Sequence, residues 1–294
     1  MFKQQAKIWG GAVALSLMIT GANAGVPAEQ AAKLGGDEFT PMGAIKKAEG
    51  NIPAWLGGVP AGKGGLDAKG KITNPFPEDK PKFVITAANY KDYSANLSDG
   101  QKAMFAKYPD TYRMPVYETR RTASYPETIY AATKANATNT VLLDDGNGLS
   151  NFVEGAPFPF PQTGVEVVWN HITRYRGGSV ARVVGQATPQ VNGDFTVVRF
   201  QDEFTFRNKL TDYDPNVDAN VLFYFKQDVL SPARLAGNVL LVHETLDQVK
   251  EPRKAWVYNA GQRRVRRAPQ VAYDGPGTAS DGLRTADNFD MFNG

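Results

Sequence analysis

The sequence contains no cysteine, only two histidines, and no long apolar run outside its first residues. Without cysteine there is no thiol catalysis, no disulfide, no cysteine-ligated zinc and no lipid-anchored amino-terminal cysteine. Two histidines are too few for a three-histidine zinc site. An excess of charge is also lacking, because 33 Lys and Arg nearly balance 30 Asp and Glu in 294 residues. Bulk charge therefore favours no particular partner.

The amino terminus has the pattern of a secretory signal peptide. Lys3 and Lys7 precede an uncharged, mostly apolar run of twelve residues, Ile8 to Ile19, and Ala22 and Ala24 supply the small residues that signal peptidase reads. Because this run is shorter than the roughly 20 residues of a membrane span, we interpret 1–24 as a signal peptide. Its removal lowers the net charge from +3 to +1. We expect a cysteine-free exported chain in a bacterial periplasm, at most peripheral to the outer membrane, with no nucleic acid as partner.

The remaining chain divides into two predicted segments. Residues 25–111 form a loop-rich and helical segment, in which Gly and Pro crowd 57–81. Ser98 and Gln101 have the spacing of a capping box, which predicts the start of a helix. From residue 112 to residue 294 the apolar period changes to two, which predicts strands that pack against the first segment.

The strand-rich segment predicts a large antiparallel sheet. Hairpin signals such as Asn192-Gly193 join successive strands, and a capping box at Thr163 and Glu166 predicts one helix over 163–176. We therefore predict a mainly β member of the α+β class. The predicted strands are 112–121, 127–133, 139–144, 149–153, 180–188, 195–207, 220–228, 238–247, 254–258 and 263–267.

The strand over 195–207 is aromatic on one side, apart from Asp202. An apolar face of this size needs a cover of helices, of a second sheet or of a ligand. The aromatic residues that we expect to line a hydrophobic cavity are Trp169, Phe200, Phe204, Phe206, Phe223, Phe225, Trp256 and Tyr258. Each of them is also compatible with ordinary core packing.

Arg263-Arg264-Val265-Arg266-Arg267 is the densest charge run. Strand alternation places Arg264 and Arg266 on one side, with Arg263 and Arg267 on the other. Two interpretations stay open. The run is either a charged edge strand that discourages aggregation, or a docking site for anionic lipid head groups or an acidic partner.

No motif indicates catalysis, a cofactor or a metal. Residues 144–148 resemble a calcium loop, but they lack its regular ligand alternation and terminal Glu, so we interpret them as a turn. Residues 177–181 resemble a nucleophile elbow, but they lie between a helix and a strand in the opposite order. We interpret His171 and His243 as structural. The scattered carboxylates leave a glycosidase pair open.

Several motifs carry a family resemblance. The hairpin over 254–269, with Trp-x-Tyr, a turn and Arg-Arg-Val-Arg-Arg, resembles periplasmic LolA/LolB-like lipoprotein-sorting proteins. Other motifs resemble one branch of these, the domain-of-unknown-function family 1329. These motifs are Ile52–Gly58, Tyr108–Met114, Arg120–Ala123, Gly155–Pro159, Trp169–His171, His243–Leu246 and Asp281–Arg284.

The resemblance implies a half-barrel, in which helices plug the concave face of a strongly curved antiparallel sheet around a hydrophobic cavity. It also implies a role beside an inner-membrane exporter of the resistance-nodulation-division type and an outer-membrane protein. Family members are longer, so we expect the carboxyl end of this chain to be truncated. The resemblance supplies no catalytic residues.

Three functions follow as hypotheses. The first is a non-enzymatic periplasmic carrier or chaperone of a lipid, a lipoprotein acyl chain or another hydrophobic small molecule. The second is a cell-envelope hydrolase with an unrecognised carboxylate pair. The third is a non-catalytic assembly factor that docks an exporter through the arginine run.

Overall fold

The computed structural model describes residues 25–60, 62–143, 146–217, 219–268 and 271–289. The predicted signal peptide over 1–24, with Ala22 and Ala24, lies outside these residues, as do Asp144 and Asp145 of the predicted turn.

The described chain forms two compact units, each built from separate stretches of sequence. The amino-terminal unit consists of Val26–Thr138 and Val153–Gly178. The sheet unit consists of Asn139–Phe152 and the described residues from Ser179 onward. The predicted division at residue 112 does not coincide with this arrangement, because the chain returns once to each unit.

In the described residues of the amino-terminal unit there are four α-helices and two short strands. The helices are α1 (Ala28–Ala31), α2 (Asp99–Lys107), α3 (Glu127–Asn139, whose last residue is assigned to the sheet unit) and α4 (Gly164–Ile172). Strands β1 (Phe83–Ile85) and β2 (Met114–Val116) pair antiparallel, and a 3₁₀ helix covers Tyr90–Asn96. No helix in the described part of the chain is long and apolar enough to cross a membrane.

The sheet unit contains a six-stranded antiparallel sheet in the order β10-β9-β8-β7-β6-β5, so strands that are consecutive along the chain are neighbours in the sheet. The sheet is not closed, and the chain is a mainly β member of the α+β class, as predicted. A separate pair consists of β3 (Val141–Leu142) and β4 (Leu149–Ser150). The six strands are β5 (Ser179–Pro189), β6 (Phe195–Phe206), β7 (Val221–Ser231), β8 (Val239–Thr245), β9 (Lys254–Asn259) and β10 (Arg264–Arg267).

Both predicted capping boxes are confirmed. In α2, the Ser98 side chain accepts from the amide of Gln101 at 3.2 Å, and Gln101 Oε1 accepts from the amide of Ser98 at 2.9 Å. In α4, the Thr163 hydroxyl accepts from the amide of Glu166 at 3.3 Å, and the Glu166 carboxylate accepts in return from the amide of Thr163. Helix α4 ends at Ile172, so the predicted helix over 163–176 is shorter than expected.

Helix α3 replaces the strand that was predicted over 127–133, and this prediction is wrong. The buried residues Ile129, Thr133, Asn136 and Ala137 lie on one helical face. The side-chain amide of Asn136 donates to the backbone carbonyls of Glu154 and Ala156, at 2.7 and 3.1 Å. The Thr133 hydroxyl accepts from the amide of Ala156 at 3.1 Å. The polar residues of this face are therefore satisfied by a loop that is distant in sequence.

The Gly- and Pro-rich segment 57–81 is anchored within the amino-terminal unit. The amide of Val59 donates to the carbonyl of Thr122 at 3.1 Å. The Arg120 guanidinium binds both carboxylate oxygens of Asp79, at 2.5 and 2.9 Å, and lies 4.2 Å from the ring centroid of Phe76. These contacts therefore join both the start and the end of segment 57–81 to residues 120–122.

Candidate functional site

The register of the six-stranded sheet separates its side chains into two faces with different chemistry. One face carries five phenylalanines and is the better buried; we call it the phenylalanine face. Its members are Phe200, Phe204, Phe206, Phe223 and Phe225. Phe200, Phe206 and Phe223 are buried, whereas Phe204 and Phe225 are half-buried. The ring centroid of Phe204 lies 4.8 Å from that of Phe223 and 5.0 Å from that of Phe206.

Asp202 interrupts the phenylalanine face and is only 2% exposed. Its carboxylate accepts from Arg182 Nε at 3.1 Å and from Gln227 Nε2 at 3.0 Å. Arg284 also faces this charge, and its Nε donates to Gln186 Oε1 at 2.9 Å. Burial lowers the pKa of Arg284, and the charge of Asp202 opposes that change. Asp202 is thus a satisfied structural carboxylate on an otherwise apolar face.

A second buried carboxylate, Glu244, lies at the end of β8 and is 1% exposed. Arg253 Nε donates to its Oε2 at 2.6 Å, and Gln248 donates to its other oxygen. Burial raises the pKa of the Glu244 carboxyl, and the charge of Arg253 acts in the opposite direction. On β7, Glu244 pairs with Phe223 and Asp202 pairs with Gln227. These two positions are four residues apart, which is about 13 Å along the strand. That separation is too large for the carboxyl pair of a glycosidase.

An open groove of about 430 Å³ crosses β5 to β8 on the opposite side of the sheet, which we call the groove face. It lies over two rows of the groove face, which contain Thr205 and Glu203 on β6, and the row between them, with Phe204 and Phe225, also contributes to its lining. The lining is mostly apolar. The residues that line it are Ser179, Val180, Ala181, Glu203, Phe204, Thr205, Tyr224, Phe225, Lys226 and Leu241.

Polar groups are concentrated at two places on the groove face. The hydroxyls of Ser179 and Thr205 lie 2.6 Å apart. Lys226 Nζ lies 2.8 Å from Asp228 and 3.8 Å from Glu203. The hydrogen bond to Asp228 and the nearby carboxylate charges raise the pKa of Lys226, so the lysine is a firmly held cation between two anions.

A ladder of rings extends the groove face from β7 to β9. The imidazole of His243 lies between Tyr224 and Trp256, with centroid distances of 4.7 and 4.8 Å, and both contacts are edge-to-face. Such contacts stabilise aromatic pairs beyond simple burial. His243 therefore has a packing role in a half-buried row.

The structure does not bring the eight predicted cavity residues together. The five phenylalanines share one face of the sheet, whereas Trp256 and Tyr258 lie on the groove face. Trp169 is 2% exposed and belongs to α4 in the amino-terminal unit. Ser179, Tyr224 and the remaining polar or aliphatic lining residues were not predicted. Only pairing with a neighbouring strand places them beside the groove.

The arginine run lies at an edge of the sheet. Arg264–Arg267 form β10, and all four of its residues are exposed. Arg264 and Arg266 face one side and Arg267 the other, as alternation predicts. Arg263 lies in the preceding turn with φ of 53°, so it is not part of the strand. Within the described residues, no group of three or more His, Cys, Asp or Glu side chains could hold a metal ion.

Comparison with known proteins places this sheet in a family. Residues 84–294 match the family described as "Protein of unknown function (DUF1329)". The chain belongs to the DUF1329 family. It is also 62% identical, over 286 residues, to the uncharacterized protein PA3922 of Pseudomonas aeruginosa. That alignment covers 97% of this chain and 63% of the relative, so the chain spans less than two thirds of the length of that curated relative. No solved structure matches the chain.

Proposed function

We propose that this DUF1329 protein is a non-enzymatic carrier that binds a hydrophobic or amphiphilic molecule in the groove of its sheet unit. The observation that carries the proposal is the mostly apolar groove of about 430 Å³ across β5 to β8. This volume lies within the usual range of small-molecule sites, which combine apolar walls with a few polar groups. Burial of an apolar chain there contributes roughly 25 cal/mol per Å² and requires no catalytic group.

The polar groups of the groove have a natural role in this proposal. When the chain of an amphiphile packs against Leu241 and Tyr224, its head group lies near the hydroxyl and charged side chains of the protein that line the same groove. The hydroxyl pair of Ser179 and Thr205 can exchange hydrogen bonds with a neutral head group. Lys226 is already paired with two carboxylates, so the groove offers no uncompensated cation to an anionic head group.

The cellular setting is part of the same proposal. The amino-terminal pattern with Lys3, Lys7 and the Ala22-Asn23-Ala24 site supports export to the periplasm. The open antiparallel sheet is compatible with a LolA/LolB-like half-barrel, in which helices cover a curved sheet. A carrier of this type works beside an exporter in the inner membrane and an acceptor in the outer membrane, and the exposed arginines of β10 are the proposed docking surface.

The first test is mass spectrometry of an organic extract from protein purified out of its own periplasm without detergent. A stoichiometric apolar molecule supports the proposal and identifies the cargo. The matched variants are Ala181→Trp and Ala187→Trp, because both alanines are exposed on the same side of β5 and only Ala181 lines the groove. We expect the first variant to lose bound ligand by about tenfold and the second to keep it. Equal occupancy in both variants would contradict binding in the groove.

A hydrolase is the second candidate, and one observation favours it. Glu203 and Asp228 are two carboxylates that contact the same lysine beside the groove. The double variant Glu203→Gln/Asp228→Asn separates the two functions. A hydrolase loses its turnover of envelope sugars or esters in this variant, whereas a carrier keeps its ligand.

A further inference from the structure

A small apolar finger projects from the amino-terminal unit. It consists of residues 65–73, which the chain closes by backbone pairing. The backbone amide of Thr73 donates to the carbonyl of Gly65 at 2.9 Å, and the backbone amide of Asp67 donates to the carbonyl of Lys71 at 2.8 Å. Between these bonds, Leu66 and Ile72 form an antiparallel bridge. The finger therefore has a defined conformation that brings Leu66 and Ile72 side by side.

The two aliphatic side chains of the finger are unusually exposed. Leu66 is 70% exposed and Ile72 is 87% exposed. Every residue over 62–72 that the structure describes is exposed to solvent. Single exposed aliphatic residues are common on soluble proteins. Here two large aliphatic residues are held opposite each other across the arms of one hydrogen-bonded turn, and both are exposed.

The finger has a net charge of +1 over residues 65–73. Lys69 and Lys71 lie in the turn itself, whereas Lys63, which precedes it, lies 4.0 Å from the carboxylate of Glu78. The only acidic residue over 62–73 is Asp67, and its carboxylate accepts the backbone amides of Lys69 and Lys71, each at 2.8 Å. The Asp67 carboxylate thus closes the loop, and the exposed residues Lys69 and Lys71 flank Leu66 and Ile72.

The base of the finger is held in place. Asp79 binds Arg120, and the Arg120 guanidinium packs over Phe76, a few residues after the finger. These contacts hold the chain that follows the finger to the amino-terminal unit.

We propose that the finger is a membrane-docking element that inserts Leu66 and Ile72 among the acyl chains of an anionic phospholipid bilayer, while Lys69 and Lys71 contact the head groups. Apolar insertion and lysine attraction act together in interfacial binding, because either alone gives only weak and reversible association. This inference is independent of the groove, which lies in the sheet unit. A carrier without the finger would still load cargo.

The test is co-sedimentation of the purified protein with vesicles of phosphatidylcholine alone or mixed with phosphatidylglycerol. We expect binding to the anionic vesicles, weakened by salt, and little binding to the neutral ones. Leu66→Ser/Ile72→Ser is expected to lower the partition coefficient by about tenfold or more. Lys69→Gln/Lys71→Gln is expected to lower it by a similar factor on anionic vesicles only.

The matched control is Val191→Ser/Val217→Ser, which removes two aliphatic side chains that are 110% and 59% exposed in the sheet unit. This control is expected to bind vesicles as the parent protein does. Equal binding by the control and by Leu66→Ser/Ile72→Ser would overturn the proposal. So would a parent dimer that becomes monomeric in the finger variant without any change in vesicle binding, because the finger would then be a self-association surface.

Discussion

Replacement of Arg253 by Met tests the strongest electrostatic contact of the sheet unit. Arg253 and Glu244 have side chains that are 4% and 1% exposed, and Arg253 Nε lies 2.6 Å from the carboxylate. Arg253→Met leaves an uncompensated carboxylate in the interior. Loss of one partner of a buried pair costs about 3–5 kcal/mol. We expect the free energy of unfolding at pH 7 to fall by that amount.

The same variant should depend strongly on pH. Burial already raises the pKa of Glu244 above its ordinary value of 4.5, and removal of Arg253 raises it further. Because the pKa of the Glu244 carboxyl is higher in the folded state than in the unfolded state, folding favours the protonated carboxyl. Stability is therefore greatest below pH 4.5 and falls as the pH rises toward the folded-state pKa, by about 1.4 kcal/mol per pH unit.

Urea unfolding followed by circular dichroism at pH 5 and pH 7 measures both effects. Arg199→Met serves as the control, because Arg199 is an exposed arginine of the same sheet. It should change stability by less than about 1 kcal/mol at either pH. The double variant Glu244→Gln/Arg253→Met should recover most of the loss and its pH dependence. If Arg253→Met costs less than about 1 kcal/mol, or is equally stable at both pH values, the reasoning about this pair is refuted.

Other predictions follow from single contacts. Gly155→Ala should destabilise the amino-terminal unit by about 2 kcal/mol in thermal unfolding, because φ is +87° and a Cβ would lie 2.8 Å from the Thr133 hydroxyl. The control Gly185→Ala should cost less than about 1 kcal/mol, because a Cβ at that position meets only ordinary contacts. Arg120→Gln should speed limited proteolysis within 57–81, because it removes the ion pair with Asp79; unchanged cleavage would show that the other anchors suffice. Among amphiphiles of one chain length, a cationic or neutral head group should bind the groove about fivefold more tightly than an anionic one in a displacement titration, and the reverse order would contradict the charge assignment.

Local features were predictable because their causes lie within a few residues. The capping boxes at Ser98 and Thr163 each involve a partner three residues away, and both form as expected. The long strands and their hairpins follow from alternation and from turn residues such as Asn192-Gly193. Helix α3 was missed because its buried face includes the polar residue Asn136, whose hydrogen-bonding partners are the carbonyls of Glu154 and Ala156.

The sequence by itself determined the family, the order of the long strands and the parity of side chains within each strand. Only the tertiary structure decided which faces of neighbouring strands coincide. Which side chains of one strand share a face follows from backbone geometry. Which faces of two neighbouring strands coincide depends on their register, and the register changes at Arg199/Phe200 and at Val221/Phe223. Trp256 pairs with Leu241, and Leu241 pairs with Lys226, so Trp256 lies on the groove face and not on the face of Phe204. A groove is a property of several strands together, so no single strand pattern could place it.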